Sequence, residues 1–537
     1  MGDRVEGGAG RPSGRGERFV ERRRGARLRV PSLTVLWHPR PERIGDRVRL
    51  EGLRRGDAVT ISRTAPVFSV PGGTREARPL GHNSLTGFGV RIAVGTSLGS
   101  VCLDPSGPGF VCDGEPVETK CEVEAEALER GMVLELAGSV VLLLHNLSGT
   151  EQWEVLDCGL VGESEALVEV RREIRRVSDL EVPVLLRGET GTGKELMAQA
   201  IHRTSRRRRQ PYLSINLGAI PPSLAASELF GAAKGAFTGS VRQQMGYFAR
   251  AHRGTLFLDE VAEAPPEIQV MLLRVLESGE IQPLGVQEIQ EVDVRLIAAT
   301  DVDLGEATEE GSFRAPLFHR LAGYEIDVPP LRERRDDFGR LFVHFLSEEL
   351  ERVGETFRLE GEAAAHWLPT SVIARLARHE WPGNVRQLRN VVRQLVIGSR
   401  GSEAVRIGPQ VERLLQEAIG GGAHRGEAEG EAGEAASARP VRRRYRDPAE
   451  VGDDELVAAL RANRWAVKPT ASQLGVSRTS LYALIERSGA VRKARDLARS
   501  EIVRCRDECG GDLDEMSARL EVSAAGLRQR MKELAID

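Results

Sequence analysis

The sequence predicts a multidomain chain: a β-sandwich, an α/β domain built on a phosphate-binding loop and closed by a helical lid, and an all-α C-terminal region. Three observations predict it. The octapeptide Gly188-Glu189-Thr190-Gly191-Thr192-Gly193-Lys194-Glu195 stands between an apolar run (Val182–Leu186) and a helical pattern (Glu195–His202). Between Leu33 and His145, short apolar stretches alternate with Gly, Pro and Asp turns, the spacing of strands in a sandwich. From Asp453 onward the apolar spacing is helical, after a stretch (418–440) made mostly of Gly, Ala and Glu.

A strand, a glycine-rich turn and a helix start make a phosphate cradle. The glycines let backbone N–H groups converge, the helix N-terminus adds partial positive charge, and Lys194 reaches the outer phosphates. Glu195 stands where the general pattern has Ser or Thr on magnesium, so the loop taken alone could also be a structural turn. Downstream, Thr255-Leu256-Phe257-Leu258-Asp259-Glu260 is an apolar strand ending in two carboxylates. Such a pair divides the work of nucleotide hydrolysis, with Asp259 on a magnesium ion and Glu260 on the attacking water.

At 537 residues the chain has room for three or four domains. A composition of 41% hydrophobic and 29% charged residues is globular, and no apolar run approaches the ~18–20 residues that span a bilayer. The charged, Gly-rich N-terminus lacks the apolar segment of a secretory signal. The six cysteines form no CxxC pair, so reduced thiols and a cytoplasmic location are expected. A net charge of −4 does not suggest nucleic acid, yet an average over several domains can hide a basic one.

Residues 1–30 read as a disordered basic arm and 31–149 as the sandwich. The expected strands are Leu33–Trp37, Ala58–Ser62, Gly89–Val94, Met132–Leu136 and Val140–Leu144, the last two joined by a hairpin at Ala137-Gly138. The ending of this region, Asp113-Gly114 followed by Leu128-Glu129-Arg130-Gly131, resembles forkhead-associated (FHA) domains, in which an Asn-Gly turn precedes the last strands. The resemblance implies a phosphopeptide or protein ligand, with Arg63 and Ser84 as candidate phosphothreonine contacts. The Ser-x-x-His signature of those domains is not recognisable, which leaves open a protein-binding sandwich with no phosphate site.

Between the two nucleotide motifs lies Gly235-Ala236-Phe237-Thr238-Gly239-Ser240, and further on Trp381-Pro382-Gly383-Asn384-Val385-Arg386-Gln387-Leu388. Through these strings, residues from about 160 to 400 resemble the AAA+ ATPases that activate sigma-54 RNA polymerase. That family's phosphate loop commonly reads GETGTGKE, which accounts for Glu195, and its polymerase-contacting loop reads GAFTGA, with Ser240 the one departure here. The resemblance implies ATP and Mg2+ as cofactors, sigma-54 RNA polymerase as partner, and a homo-oligomeric ring, a hexamer, with ATP at subunit interfaces. It assigns Leu160-Val161-Gly162 to the base, Asn216 to holding Glu260 from water, and Thr300-Asp301, after the strand Val294–Thr300, to sensing phosphate. It further assigns Arg314 and Arg320 to the neighbouring subunit's nucleotide, and Arg386 to sensing nucleotide from the lid. Beyond Ser240, and Ala232-Ala233 where the family usually has His-Glu, two departures bear on the chemistry. Asp301 replaces the usual Asn, and an acid there repels a γ-phosphate. Pro316 replaces the usual Asp and removes a backbone donor between the two arginines, which bends the segment.

Residues 416–447 read as a flexible linker. Residues 448–490 resemble a Fis-type helix-turn-helix: Lys468–Leu474, the turn at Gly475, the cap Ser477, then Arg478–Arg487. The second helix would present Arg478, Thr479, Ser480 and Tyr482 to the DNA major groove. Segment 455–500 carries nine Lys/Arg against three Asp/Glu, a bias that fits DNA. A shift of 46 residues lays Leu456, Leu474, Val476, Leu481 and Ile485 on Ile502, Leu520, Val522, Leu527 and Met531, so 500–537 is expected to be a degenerate second copy. That copy holds six Lys/Arg against nine Asp/Glu, which suits packing or dimerisation better than DNA.

The whole reads as a cytoplasmic transcription activator with a sandwich sensor, an AAA+ ATPase core (159–330), a helical lid (331–415) and a DNA reader, and with no membrane partner. The alternative is a DNA-binding regulator that binds ATP but hydrolyses it poorly because of Asp301.

Overall fold

The computed structural model describes residues 29–72, 76–148, 158–233, 244–359 and 366–423, and 451–534 with short interruptions. Residues 1–28 of the expected basic arm and 424–447 of the expected linker lie outside the described residues; Arg29 and Val30 belong to a strand instead, and 416–423 continue a helix. The chain divides into two compact units, 1–427 and 428–537.

The N-terminal part of the first unit is built from β1 (Arg29–Trp37), β2 (Arg47–Arg49), β3 (Val59–Ile61), β4 (Val90–Val94), β5 (Val101–Pro105), β6 (Phe110–Cys112), β7 (Glu115–Val117), β8 (Cys121–Val123), β9 (Met132–Leu136) and β10 (Val140–Ser148). They form a six-stranded sheet, β2-β1-β10-β9-β6-β7, facing a four-stranded one, β3-β4-β5-β8. Leu33, Val35, Ile61, Val90, Ile92, Leu103, Leu142 and Leu144 fill the space between. The tight hairpin at Ala137-Gly138 has both residues at positive φ (46° and 59°), the backbone that matches strand twist. Five strands, β2 and β5–β8, were not expected: four are only three residues long, and β2, β5, β7 and β8 carry charged residues or proline, so their apolar signal is weak.

The middle part holds β11 (Val184–Arg187), β12 (Tyr212–Asn216), β13 (Thr255–Asp259), the small ribbon β14 (Glu280–Ile281) and β15 (Gln290–Glu291), β16 (Arg295–Thr300) and β17 (Tyr324–Asp327). The main sheet is wholly parallel in the order β12-β13-β16-β11-β17. Helices α1 (Glu165–Ser178), α2 (Lys194–Thr204), α3 (Pro222–Phe230), α4 (Pro266–Ser278) and α5 (Ala315–Leu321) accompany it. Covered on both faces, Leu256-Phe257-Leu258 is fully buried, which is why β13 reads as an unbroken apolar run. In such sheets ligands bind beyond the carboxyl ends of the strands, where connections diverge to opposite sides. β11 has that position, between β16 and β17.

The lid comprises α6 (Phe338–Val353), α7 (Thr370–Arg378), α8 (Asn384–Gly398) and α9 (Pro409–Ala423). Phe338, Leu341, Phe342, Phe345 and Leu346 recur at helical spacing and bury one face of α6, which stops at left-handed Gly354 (φ 73°).

The sandwich is seated on this lid. Val133, Val141 and Leu143, on the outer face of the six-stranded sheet, join Phe338, Phe342, Ile373 and Trp381 in one core. Trp37 meets Phe342 edge-on at 6.3 Å, and the buried Arg47 pairs with Asp336 at 2.9 Å. Arg378 donates to the Asp113 carbonyl, and Thr370 donates to Glu135 at 2.8 Å. Gly339 is required where α6 crosses β1, because a Cβ there would stand 2.3 Å from the Leu36 carbonyl oxygen.

In the second unit, α10 (Asp453–Ala462) and α11 (Arg499–Glu508) are both ten residues long and start 46 residues apart; α12 (Leu513–Leu520) follows. Two separate cores repeat the same offset: Leu456, Ala459, Leu474, Val476 and Leu481 in one, Ile502, Cys505, Leu520, Val522 and Leu527 in the other. The expected DNA contacts Arg478, Thr479, Ser480 and Tyr482 lie outside the described residues.

Candidate nucleotide site

β11 delivers the chain to Gly188, and α2 begins at Lys194 behind the left-handed Gly193 (φ 104°). The ammonium of Lys194 folds under the loop and donates to the carbonyls of Gly188 (2.5 Å) and Glu189 (3.2 Å). Burial lowers its pKa, while the charges of Asp301, Asp259 and Glu260 oppose that shift. One half-buried cation therefore faces three carboxylates carried by two neighbouring strand ends.

The parallel register of β12 and β13 sets Asn216 beside Asp259. Asn216 Nδ2 accordingly donates to Asp259 Oδ2 at 3.2 Å, and its Oδ1 accepts from the amide of Ala219. The expectation paired Asn216 with Glu260; the carboxylate it reaches is that of Asp259. Glu260 lies one residue past the strand in a left-handed conformation (φ 54°), and its carboxylate lies against Gly218 instead. A non-glycine residue in that region costs roughly 1–3 kcal/mol, a cost found mainly where surrounding structure fixes a functional side chain.

β16 lies beside β11 with Thr300 opposite Arg187, so the end of β16 adjoins the phosphate loop. Thr300 is buried and spends its hydroxyl on the backbone of Val302. Asp301 is exposed, and its Oδ2 accepts from Thr190 Oγ1 at 2.7 Å. The acid thus sits on the phosphate loop.

The lid grips the same loop at four points. Arg332 donates to both oxygens of Glu189, at 2.8 and 2.6 Å, and holds that carboxyl below its ordinary pKa. Asn384, buried and left-handed (φ 51°), donates to Glu189 (3.0 Å) and to the Thr190 carbonyl (3.2 Å), and accepts from the Leu331 amide. Arg334 donates to the Thr192 carbonyl at 2.9 Å, and the amide of Arg386 to Gly191 at 3.3 Å. Only glycine fits at 191: its φ is +82°, and a Cβ would stand 2.4 Å from the Gly383 carbonyl oxygen. Arg332, Arg334 and Asn384 fall within the expected lid (331–415) but were not among the expected site residues. Their signal, two arginines and an asparagine in lid motifs, was present without an indication of what they hold.

The turn Leu160-Val161-Gly162 is braced from both sides. Arg171 Nη2 donates to the carbonyls of Leu160 (2.6 Å) and Gly162 (2.7 Å). Asp337 accepts from the amides of Glu163 (2.5 Å) and Ser164 (2.8 Å) and from the Ser164 hydroxyl. Burial pushes the Asp337 carboxyl up, and Arg334 and Ser164 draw it back down.

Arg314 and Arg320 both lie exposed on this subunit, Arg320 Nε 3.7 Å from Glu277. The expected bend at Pro316 does not arise. Pro316 sits in the first turn of α5, where a backbone N–H has no helical partner, so it starts that helix. The hexapeptide Gly235–Ser240 lies outside the described residues; α3 ends before it, at Gly231. In the sandwich, Arg63 Nη1 lies 3.4 Å from Thr86 Oγ1, and Ser84 Oγ lies 2.7 Å from His82 Nδ1. The Gly81 amide donates to the Arg63 carbonyl, which brings both candidates to one surface.

Residues 160–327 match the Sigma-54 interaction domain family, and residues 332–409 the AAA+ ATPase lid domain family. The chain is 42% identical over 342 residues to the nitric oxide reductase transcription regulator NorR1 of Cupriavidus necator, a match covering 62% of this chain and 64% of that protein. It is 38% identical over 350 residues to the C4-dicarboxylate transport transcriptional regulatory protein DctD of Rhizobium meliloti, covering 65% and 68%. It is 45% identical over 246 residues to the DNA-binding transcriptional regulator NtrC of Escherichia coli K12, covering 46% and 51%. The chain spans just under two thirds of the length of NorR1 and about half that of NtrC. With a phosphate loop at the switch point of a parallel sheet, a lid gripping that loop, and relatives of this identity, the chain belongs to the sigma-54 interaction domain family of AAA+ nucleotide-binding proteins.

Proposed function

We propose that this chain is a sigma-54-dependent transcription activator that works in the cytoplasm as a homo-oligomeric, hexameric ATPase ring bound to DNA upstream of its promoters. The observation that carries the reading is the half-buried Lys194 facing Asp259, Glu260 and Asp301 at the phosphate loop of a sigma-54 family core. ATP phosphates rest on the amides of Gly188–Lys194 and on the Lys194 ammonium, with the base against Leu160-Val161-Gly162. Asp259, oriented by Asn216 near the loop lysine, would hold magnesium. Held there, the ion would supply charge neutralisation on the phosphates.

Glu260 orients and deprotonates the attacking water, and Asn216 acts on it through Asp259. Arg314 and Arg320, exposed on one subunit, serve the nucleotide of the next. Arg386 and the Glu189–Arg332 pair carry the state of the loop into the lid. Hydrolysis drives the Phe237-Thr238 tip against sigma-54 and remodels closed promoter complexes. The C-terminal unit holds the complex on DNA through Arg478, Thr479, Ser480 and Tyr482, and the sandwich takes a protein or phosphopeptide ligand at the Arg63–Ser84 surface.

Two variants test the reading in ATPase and open-complex assays with sigma-54 polymerase. Glu260→Gln should bind ATP yet lose hydrolysis by at least about a hundredfold, since an amide is no base. Thr238→Ala should keep hydrolysis and lose open complexes. Undiminished open-complex formation by both variants would refute the proposal.

A further inference from the structure

We propose that the β-sandwich forms part of the nucleotide's base pocket, with Pro41 and Ile44 as one wall. The proposal rests on the assignment of the base to Leu160-Val161-Gly162 and adds residues that no part of the ATPase core supplies.

A cavity of about 410 Å³ lies over that turn, a size suited to a base and part of its sugar. Three parts of the first unit line it. The core contributes Leu160–Glu163 and Arg171, the lid contributes Arg340 and Val343, and the sandwich contributes Pro41 and Ile44. Ile44, Leu160, Val161 and Val343 give the apolar surface that a flat heterocycle stacks on.

The edges of the cavity are polar and include Arg171, Arg340, Glu163 and His344. Arg171 is 4% exposed; it spends Nη2 on the turn, while its Nε and Nη1 are buried without a hydrogen-bond partner. Arg340 Nε is buried in the same condition. Arg340 stays next to the cavity through its pair with Glu163 at 2.8 Å.

The sandwich wall is fixed against the lid. The turn Pro41–Arg43 is tied down by Arg43, which bonds Asp46 at 2.6 Å and the Pro79 carbonyl at 2.7 Å. Next to it, Gly45 (φ +90°) leaves room for the Arg340 guanidinium, which lies 2.0 Å from where a Cβ would stand. Two consecutive acids then join the parts: Asp336 holds Arg47 of the sandwich, and Asp337 holds the base turn. Nucleotide binding and sandwich seating therefore share contacts, and linkage makes the coupling reciprocal: a ligand that shifts the sandwich changes nucleotide affinity by the same factor.

Titration calorimetry of the full chain with ADP tests this. Ile44→Trp, which fills the cavity, should weaken ADP binding at least tenfold. Ile44→Ala, which keeps the fold but opens the wall, should weaken it about threefold or more. Leu98→Trp, on the fully exposed Leu98 of the same sandwich, should leave it unchanged. Lys194→Ala serves as the reference for loss of the phosphate site. Parental affinity in both Ile44 variants, with binding lost in Lys194→Ala, overturns the sandwich wall and leaves the nucleotide site standing. No ADP binding by the parent, or none lost in Lys194→Ala, overturns both.

Discussion

Arg332 of the lid holds both carboxylate oxygens of Glu189 in the phosphate loop, at 2.8 and 2.6 Å, and Asn384 adds a third bond at 3.0 Å. Both partners of the ion pair are over a third exposed, so the pair does little for global stability. Its geometry is bidentate, which fixes orientation more than it adds energy. The loop and the lid are therefore expected to move together.

Arg332→Ala should leave the unfolding midpoint within a few degrees of the parent and lower ATPase kcat/KM by about tenfold, roughly 1.4 kcal/mol of transition-state stabilisation. Arg332→Lys should restore only part of it, because an ammonium cannot bridge two oxygens in one plane. Full restoration by lysine would show that charge alone matters and that the fork geometry does not.

Asp301 accepts from Thr190 within the phosphate loop, so under the proposed function its charge would oppose a γ-phosphate held there. At an effective dielectric of about 20, a unit charge several ångströms away acts with a few kcal/mol. Asp301→Asn should therefore raise turnover, by tenfold or more, while keeping the bond to Thr190. Steady-state kinetics decide it. A variant no faster than its parent would mean that Asp301 is neutralised by Lys194 in the working complex.

Two histidines of the sandwich are held neutral. Burial lowers His145 to about 3, helped by the nearby Arg47, and lowers His38 to about 4. Their folded pKa values lie below the unfolded value of 6.5, so between about pH 6.5 and 4 the unfolded chain binds protons that the folded chain refuses. Their contribution to stability is full above pH 6.5 and falls as pH drops. Asp336 and Asp337, pushed up by burial, act with the opposite sign, so the comparison must be made between variants. His145→Gln should lose less stability than the parent between pH 7.5 and 5 in urea unfolding. Equal losses would contradict the assignment.

The duplicated C-terminal unit gives a fourth test. The first copy is basic and the second acidic, while the buried apolar positions repeat at the same offset. Removing residues 501–537 should leave the salt slope of DNA binding unchanged per subunit and reduce self-association. A shallower slope in the truncated chain would place the second copy on phosphate.

Much of the nucleotide site was legible because local chemistry dictates it. Gly188–Lys194 needs glycines wherever the loop is left-handed, and β13 needs an apolar run because both its faces are covered. The pairing of Asn216 was not legible, because it depends on the register of β12 against β13, which no local pattern encodes. Pro316 was misread for a related reason: its effect depends on whether it falls in the first turn of a helix or inside one.

The sequence by itself determined the order of the parts, the phosphate loop with its two downstream acids, and the repeat of apolar positions at its end. These follow from periodicity and backbone requirements within a few residues. Only the tertiary structure decided that the sandwich sits on the lid. In β10 the residues Val140, Leu142 and Leu144 face one core while Val141 and Leu143 face another, yet a run of five apolar residues reads the same whichever element covers its second face. The partners of that face, Phe342 and Ile373, lie some two hundred residues away in the chain, and only packing brings them together.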